Sequence, residues 1–215
     1  MTDQIKGVLL LGGGGHCRSV LDALERMLPG VRIGVVDRAG IVVGSELPRV
    51  GNDDDLADLR AAGYTHAMVT VGSVGDTSLR RTLAQRVQEH HFLPLTVIDP
   101  SAVISPRAII GQGVFIGKGT LVNAGAVIGD YAILNTGCIV EHDVHVGAFS
   151  HIAPGAVVCG GAAIASDVHV GARSVVIQQI EIGEDTLVGA GSVVLRHLPG
   201  HCIAFGNPCK VRSKR

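Results

Sequence analysis

From Ala102 to His197 one apolar–polar rhythm repeats every six residues, without a gap, through sixteen hexads. In AIIGQG, VFIGKG, CIVEHD and TLVGAG alike, the third slot is β-branched; it is Ile or Val from Ile104 to Val194, Leu134 excepted. The fourth slot is usually Gly, Ala, Ser or Asn. No ordinary helix or sheet keeps that period so long, and six is the period of a parallel β-helix. Each hexad reads as one short strand and one corner. The third-slot side chain points inward and stacks on its equivalent in the next coil. The small fourth-slot residue is expected to take the unusual backbone angles of the corner. Three hexads close a triangular coil, so residues eighteen apart stack, and about five coils make a prism roughly 25 Å long.

Slot two alternates away from slot three and points outward. On one face it reads Val103, Leu121, Ile139, Val157, Val175 and Val193, a continuous apolar strip. The other two faces carry His145 and Glu181, and His151 and His169. Such a strip marks a partner surface, and self-association is expected there; cover by the C-terminal tail is the alternative.

Residues 1–98 carry a different rhythm. Short apolar runs at 8–11, 31–36, 67–71 and 96–98 alternate with amphipathic stretches at 19–28, 53–62 and 78–90, the second capped by Asn52 or Asp53. This βαβαβ order predicts a small parallel sheet, joined to the prism at Asp99-Pro100-Ser101. Ligands of such sheets sit beyond the carboxyl ends of the strands. Gly12–His16, Asp37 and Gly72-Ser73 fall there. Glycines between strand and helix let backbone N–H groups approach a phosphate, although Cys17 breaks the dinucleotide fingerprint. The coincidence of three strand ends favours a nucleotide site over a plain tight turn.

Composition narrows the classes. The 215 residues carry a net charge of −1, which leaves no nucleic-acid footprint. Aromatics are only 3 % while hydrophobic residues reach 47 %, as a narrow prism filled by Val, Ile and Ala requires. The first apolar run is too short for a signal peptide or membrane span, and five cysteines without a CxxC pair suit reduced thiols, so a cytoplasmic protein is expected.

One hexad departs from its neighbours: Cys138-Ile139-Val140-Glu141-His142-Asp143. It alone has a charge in slot four and a histidine in slot five. An imidazole between two carboxylates can have its tautomer fixed by one of them, leaving the other nitrogen as a base. A solvated charged corner is the bland alternative. A metal site formed by His142, His145, His151 and His169 of several chains is another. Cys138 and Cys159 read as small, non-catalytic residues.

With Gly12–His16, the βαβ pattern, Asn135…Glu141-His142-Asp143 and Gly206-Asn207-Pro208 in view, the chain resembles the left-handed β-helix acyltransferases along nearly its whole length. The resemblance is to the subgroup of sialic acid O-acetyltransferases and the nucleotide-amino-sugar N-acetyltransferases of bacillosamine synthesis. It implies an α/β Rossmann-like domain (1–98), an all-β left-handed parallel β-helix (99–198) and a tail near coenzyme A (199–215). It implies a homotrimer with acetyl-CoA between neighbouring prisms and no metal. His142 would be the general base, oriented by Asp143 or Glu141. Asn135 would hold the sugar, and Gly14, His16, Asp37, Gly72 and Ser73 the nucleotide. His151, Gly160, Ala190 and Gly206-Asn207-Pro208 would border the acetyl-CoA. The expected activity is acetyl-CoA-dependent N-acetylation of the 4-amino group of a UDP-linked amino-dideoxy sugar. O-acetylation of a sialic acid is the alternative, and a zinc enzyme or a non-catalytic sugar-nucleotide scaffold the more distant ones.

Overall fold

The computed structural model describes residues 5–38 and 49–215. Contacts divide it into two compact units: residues 1–72 with 78–97, and residues 73–77 with 98–215.

The first unit is built on β1 (Val8–Leu11), whose four residues are all fully buried. A strand buried on both faces needs an unbroken apolar run, which VLLL supplies. The glycine loop leads into α1 (Gly15–Met27), so this helix begins four residues before the expected Ser19, and His16 stands in its first turn. Then come β2 (Ile33–Val36), β3 (Arg49–Gly51), a 3-10 turn over Asp53–Asp55, α2 (Leu56–Ala61), β4 (His66–Val69), α3 (Ser78–Glu89) and β5 (Leu93–Pro94). Asn52 caps the 3-10 turn with Asp55 in a reciprocal capping box. The sheet is parallel, in the order β3-β2-β1-β4-β5. The expected last strand, 96–98, does not belong to it. The edge is Leu93–Pro94, and Val97–Ile98 opens a sheet of the prism instead. A proline can occupy an edge when its nitrogen faces outward, where no ladder bond needs an N–H; here the flanking Leu93 and Leu95 N–H groups donate inward, to Thr65 O and Ala67 O.

The second unit is the β-helix. Every hexad contributes a two-residue strand at slots two and three, and each of the first thirteen pairs in parallel with the hexad eighteen residues on, as Leu121 with Ile139 and His151 with His169. The faces carry six, five and eight strands. Slots one and three both fill the interior: Val114 with Ile116, Cys138 with Val140, and Ala156 with Val158 are fully buried. Where slot one is polar, its hydroxyl bonds a nearby carbonyl: Ser150 Oγ donates to Ala165 O at 2.7 Å and Ser174 Oγ to Gly189 O at 2.9 Å. Buried hydroxyls therefore cost the core little.

The corner differs from expectation in one respect. The left-handed residue is in slot six, at Gly113, Gly119, Tyr131, Asp143, Phe149 and Asp167 among others, not in slot four. Slot four is small because the next coil passes close to it. A Cβ on Gly171 would lie 2.5 Å from the Ala190 amide nitrogen and 2.6 Å from the Gly189 carbonyl carbon. Backbone on both sides cannot yield cheaply, so Gly171→Ala is expected to destabilise the protein by about 1–3 kcal/mol, the usual cost of overpacking. Chemical denaturation against the parent checks this, and equal stability removes close approach as the reason for glycine.

On the apolar outer strip Val103 is 65 % exposed and Leu121 38 %, with Ile139, Val157, Val175 and Val193 half-buried. The C-terminal segment meets the strip at its last strand, where Gly206 O accepts from the Val193 N–H at 3.0 Å and the Cys209 N–H donates to Val193 O at 2.8 Å. Cys202–Phe205 adds one parallel strand beside Leu187–Val188, and Lys210–Lys214 pairs antiparallel with that strand, ending the third sheet.

Candidate active site

His142 stands at a corner of the prism. Its Nδ1 is 2.9 Å from Asp143 Oδ2. Asp143 is held in the left-handed conformation, φ 58°, and its N–H donates to Ala124 O at 3.0 Å, so the coil itself aims the carboxylate. A carboxylate can only accept, so the neutral ring carries its proton on Nδ1 and leaves a lone pair on Nε2. Glu141 does not share this role: its Oε2 faces the His142 backbone N–H at 3.4 Å. Of the two acids weighed in the sequence, Asp143 is the one against the ring. The His142 side chain is 65 % exposed, so Nε2 is open to a ligand. One coil on, Gly160 lies directly against the ring; a Cβ there would be 2.5 Å from Nε2.

A second polar chain lies on the third face. His151 Nδ1 is 3.0 Å from Ser73 O, and His151 Nε2 is 3.1 Å from Asn135 Nδ2. Asn135 Oδ1 accepts from the Thr136 N–H at 2.8 Å. The sequence had separated Ser73 and Asn135 from His151 by role; the fold joins all three. His169 crosses the His151 ring edge-on, with centroids 4.8 Å apart. Burial, and then the Arg215 charge, push the His169 pKa down to about 4. His145 points outward on the second face. Among the described residues no group of three or more His, Cys, Asp or Glu could hold a metal ion. Burial pushes the Cys138 thiol up to about 12, and burial followed by the Glu141 charge raises Cys159. Neither thiol is activated as a nucleophile.

At the end of the prism a pocket of about 410 Å³ is lined by Leu195, Arg196, Pro208, Cys209 and Lys210. Gly206, at φ 112°, donates its N–H to Ser192 Oγ at 3.1 Å and turns the chain into this rim. Ala190 contributes the amide that passes Gly171. The sequence marked Pro208 but not Arg196. A slot-five arginine looks like a solvated corner until the tail folds back beside it.

In the first unit the glycine loop and the end of β2 meet. Gly13 N–H donates to Asp37 Oδ2 at 2.6 Å, and Thr70 Oγ1 donates to Gly12 O at 2.6 Å. Gly14 caps α1 without any side-chain bond. His16 is half-buried; loss of solvent around its ring, then the Arg80 charge, lower its pKa to about 4, so it is neutral at pH 7. A Cβ on Gly72 would be 3.3 Å from His16 Cβ, so these two candidates touch. A pocket of about 120 Å³ opens here, lined by Gly12, Val36, Asp37, Arg38, Asp53, Val71, Leu79 and Leu83. Arg38 is anchored to the buried Asp53 at 2.8 Å, and Arg86 reaches the same carboxylate at 3.3 Å. Sequence reasoning missed Asp53 as a wall of this site, because it was read only as a helix cap.

Residues 7–87 match the PglD N-terminal domain family. No curated protein matches the chain. Among solved structures, a histidine-to-alanine mutant of GDP-perosamine N-acetyltransferase from Caulobacter crescentus, in complex with CoA and GDP-perosamine, is 37 % identical. That match covers 98 % of this chain and 99 % of the other, with a TM-score of 0.91. PerB from Caulobacter crescentus, with the same two ligands, is 38 % identical over 98 % and 99 %, with a TM-score of 0.80. The acetyltransferase domain of PglB from Neisseria gonorrhoeae FA1090, in complex with acetyl coenzyme A, is 29 % identical over 97 % and 100 %, with a TM-score of 0.90. With a relative of that identity matched along nearly the full length of both chains, this chain belongs to the left-handed β-helix, hexapeptide-repeat sugar N-acetyltransferases, which take their acetyl group from coenzyme A.

Proposed function

We propose that the chain acetylates the 4-amino group of a nucleotide-linked amino-dideoxy sugar, with His142 as general base. The observation that carries this reading is the 2.9 Å contact between His142 Nδ1 and Asp143, which leaves an open Nε2 on an exposed corner. In this mechanism Nε2 relays one proton from the sugar ammonium to solvent, the freed lone pair attacks the thioester carbonyl carbon, and Nε2 then takes a second proton from the nitrogen that attack has made cationic. Backbone N–H groups of the prism stabilise the oxyanion as the tetrahedral centre forms. The C–S bond then breaks, and the His142 imidazolium returns the proton to the leaving thiolate. Asp143 keeps the ring in one tautomer and balances its transient charge. Asn135 and His151 border the reacting groups. Arg196 and Lys210, over the apolar wall of Leu195 and Pro208, offer charge to the phosphates of acetyl-CoA. The apolar strip from Val103 to Val193 suits assembly into a homotrimer. Thiol release from acetyl-CoA, measured against a panel of nucleotide-linked 4-amino sugars, tests the activity; release with a sialic acid and none with the amines would move it to O-acetylation.

The nucleoside turns on the strand-end pocket. The sequence resemblance favours uridine. A specific observation favours guanosine: Arg38, held by Asp53, lines the pocket beside Asp37. A guanidinium suits the acceptor edge of guanine and a carboxylate its N–H edge, and the relatives at 37 % and 38 % identity were crystallised with GDP-perosamine. Calorimetry with the two nucleoside diphosphates is expected to give GDP at least about tenfold tighter, a difference of about 1.4 kcal/mol. Tighter UDP returns the site to uridine.

A further inference from the structure

We propose that Thr77 and Asp167 are positioning residues for acetyl transfer: they fasten the strap 73–77, whose Ser73 carbonyl holds His151 in one tautomer, and His151 in turn sets the amide of Asn135. The inference rests on the reading of Asn135 and His151 as groups bordering the reaction.

In sequence the strap joins β4 to α3, yet it packs with the β-helix unit. At its first end Ser73 O lies 3.0 Å from His151 Nδ1. A carbonyl only accepts, so Nδ1 carries the proton. The neutral ring then has only a lone pair at Nε2, and Asn135, 3.1 Å away, must turn its NH₂ toward it. That orientation agrees with the 2.8 Å bond from the Thr136 N–H to Asn135 Oδ1. One acceptor on the strap therefore decides where the protons sit across three groups, and it leaves one Asn135 N–H for a substrate oxygen.

The other end is tied to the prism. Thr77 Oγ1 donates to Asp167 Oδ1 at 2.5 Å. Asp167 is a corner residue at φ 62°, with its own N–H bound to Ala148 O at 3.0 Å, so the coil fixes this anchor. Midway, Gly75 turns at φ 84°, and a Cβ there would be 3.1 Å from both Leu187 Cδ1 and Arg215 Nη2. The strap thus lies on the row His151, His169, Leu187. This accounts for His169, which points outward yet is only 7 % exposed. Kept neutral by that burial, His169 packs against His151 without adding a charge beside it.

The test is Thr77→Val, which removes the hydroxyl donor, with Thr77→Ser as the restoring control. Nitrogen-15 NMR of labelled histidine, with His151 assigned through His151→Gln, reads the tautomer directly. The expected result is a single Nδ1–H form in the parent and in Thr77→Ser, and a tautomer mixture in Thr77→Val. With it, kcat should fall about ten- to a hundredfold, the cost of a small misplacement, while KM for the sugar nucleotide stays level. If Thr77→Val does not fold, Asp167→Ala cuts the same bond from the prism side and carries the same expectation. A single Nδ1–H form with parental kcat overturns the proposal, as does a loss of kcat with the tautomer unmoved. A parent without acetyl-transfer activity would sink the proposed function but leave the tautomer measurement standing.

Discussion

Replacing His142 with alanine lowers kcat for acetyl transfer by about 10²–10⁴-fold, the range for a positioned general base. The amine of a sugar is protonated at neutral pH and cannot attack until the proton leaves. The only imidazole on a slot-five corner, 65 % exposed and braced by Asp143 at 2.9 Å, supplies the acceptor. Binding of the coenzyme should change little, because the charges offered to it, Arg196 and Lys210, line a separate pocket. Asp143→Asn is the graded companion: an amide can still accept from Nδ1 but carries no charge to balance the imidazolium, so it should lose less than His142→Ala. Steady-state kinetics on both variants decide the matter. Parental turnover in His142→Ala would move the base elsewhere, and His151 would be the next group to replace.

The two halves of the chain were legible to different depths, for a physical reason. The prism is a local code: slots one and three are filled within one coil, and the partner of each strand is always eighteen residues away, so the period alone sets the register of Leu121 on Ile139. The corner at His142 was legible for the same reason, since Asp143 is its neighbour in the chain and the coil geometry does the aiming. Features made by distant residues were not. The strap 73–77 reads as a loop after a strand, and only folding places Thr77 on Asp167, ninety residues on. Asp53 reads as a helix cap, yet it also anchors Arg38 in the pocket wall. Leu93–Pro94 carries no strand signature in the sequence, because proline argues against a strand, although an edge accepts it. The glycines hid the start of α1, since a helix opening on Gly15 has no sequence signature beyond the loop itself. In the corners, the slot-four glycines drew the eye to backbone freedom, when their role is to admit the next coil.

Gly160→Ala separates position from stability, and its expected outcome is a loss of about 10–10²-fold in kcat from misplacing the base, with the melting temperature unchanged or slightly raised. Gly160 is not among the left-handed glycines, so an alanine meets no backbone strain there. Reduced freedom of the unfolded chain even favours the variant, by about 0.4–1 kcal/mol. The new methyl, however, would sit 2.5 Å from His142 Nε2 and 2.6 Å from Cε1. The exposed ring can swing aside at little cost to the fold, but swinging moves Nδ1 off the Asp143 carboxylate and carries the lone pair away from its line of attack. A thermal melt paired with steady-state kinetics reads both consequences. Parental kcat in a folded Gly160→Ala protein would mean that the ring has latitude at this corner, and that the glycine one coil on does not aim the base.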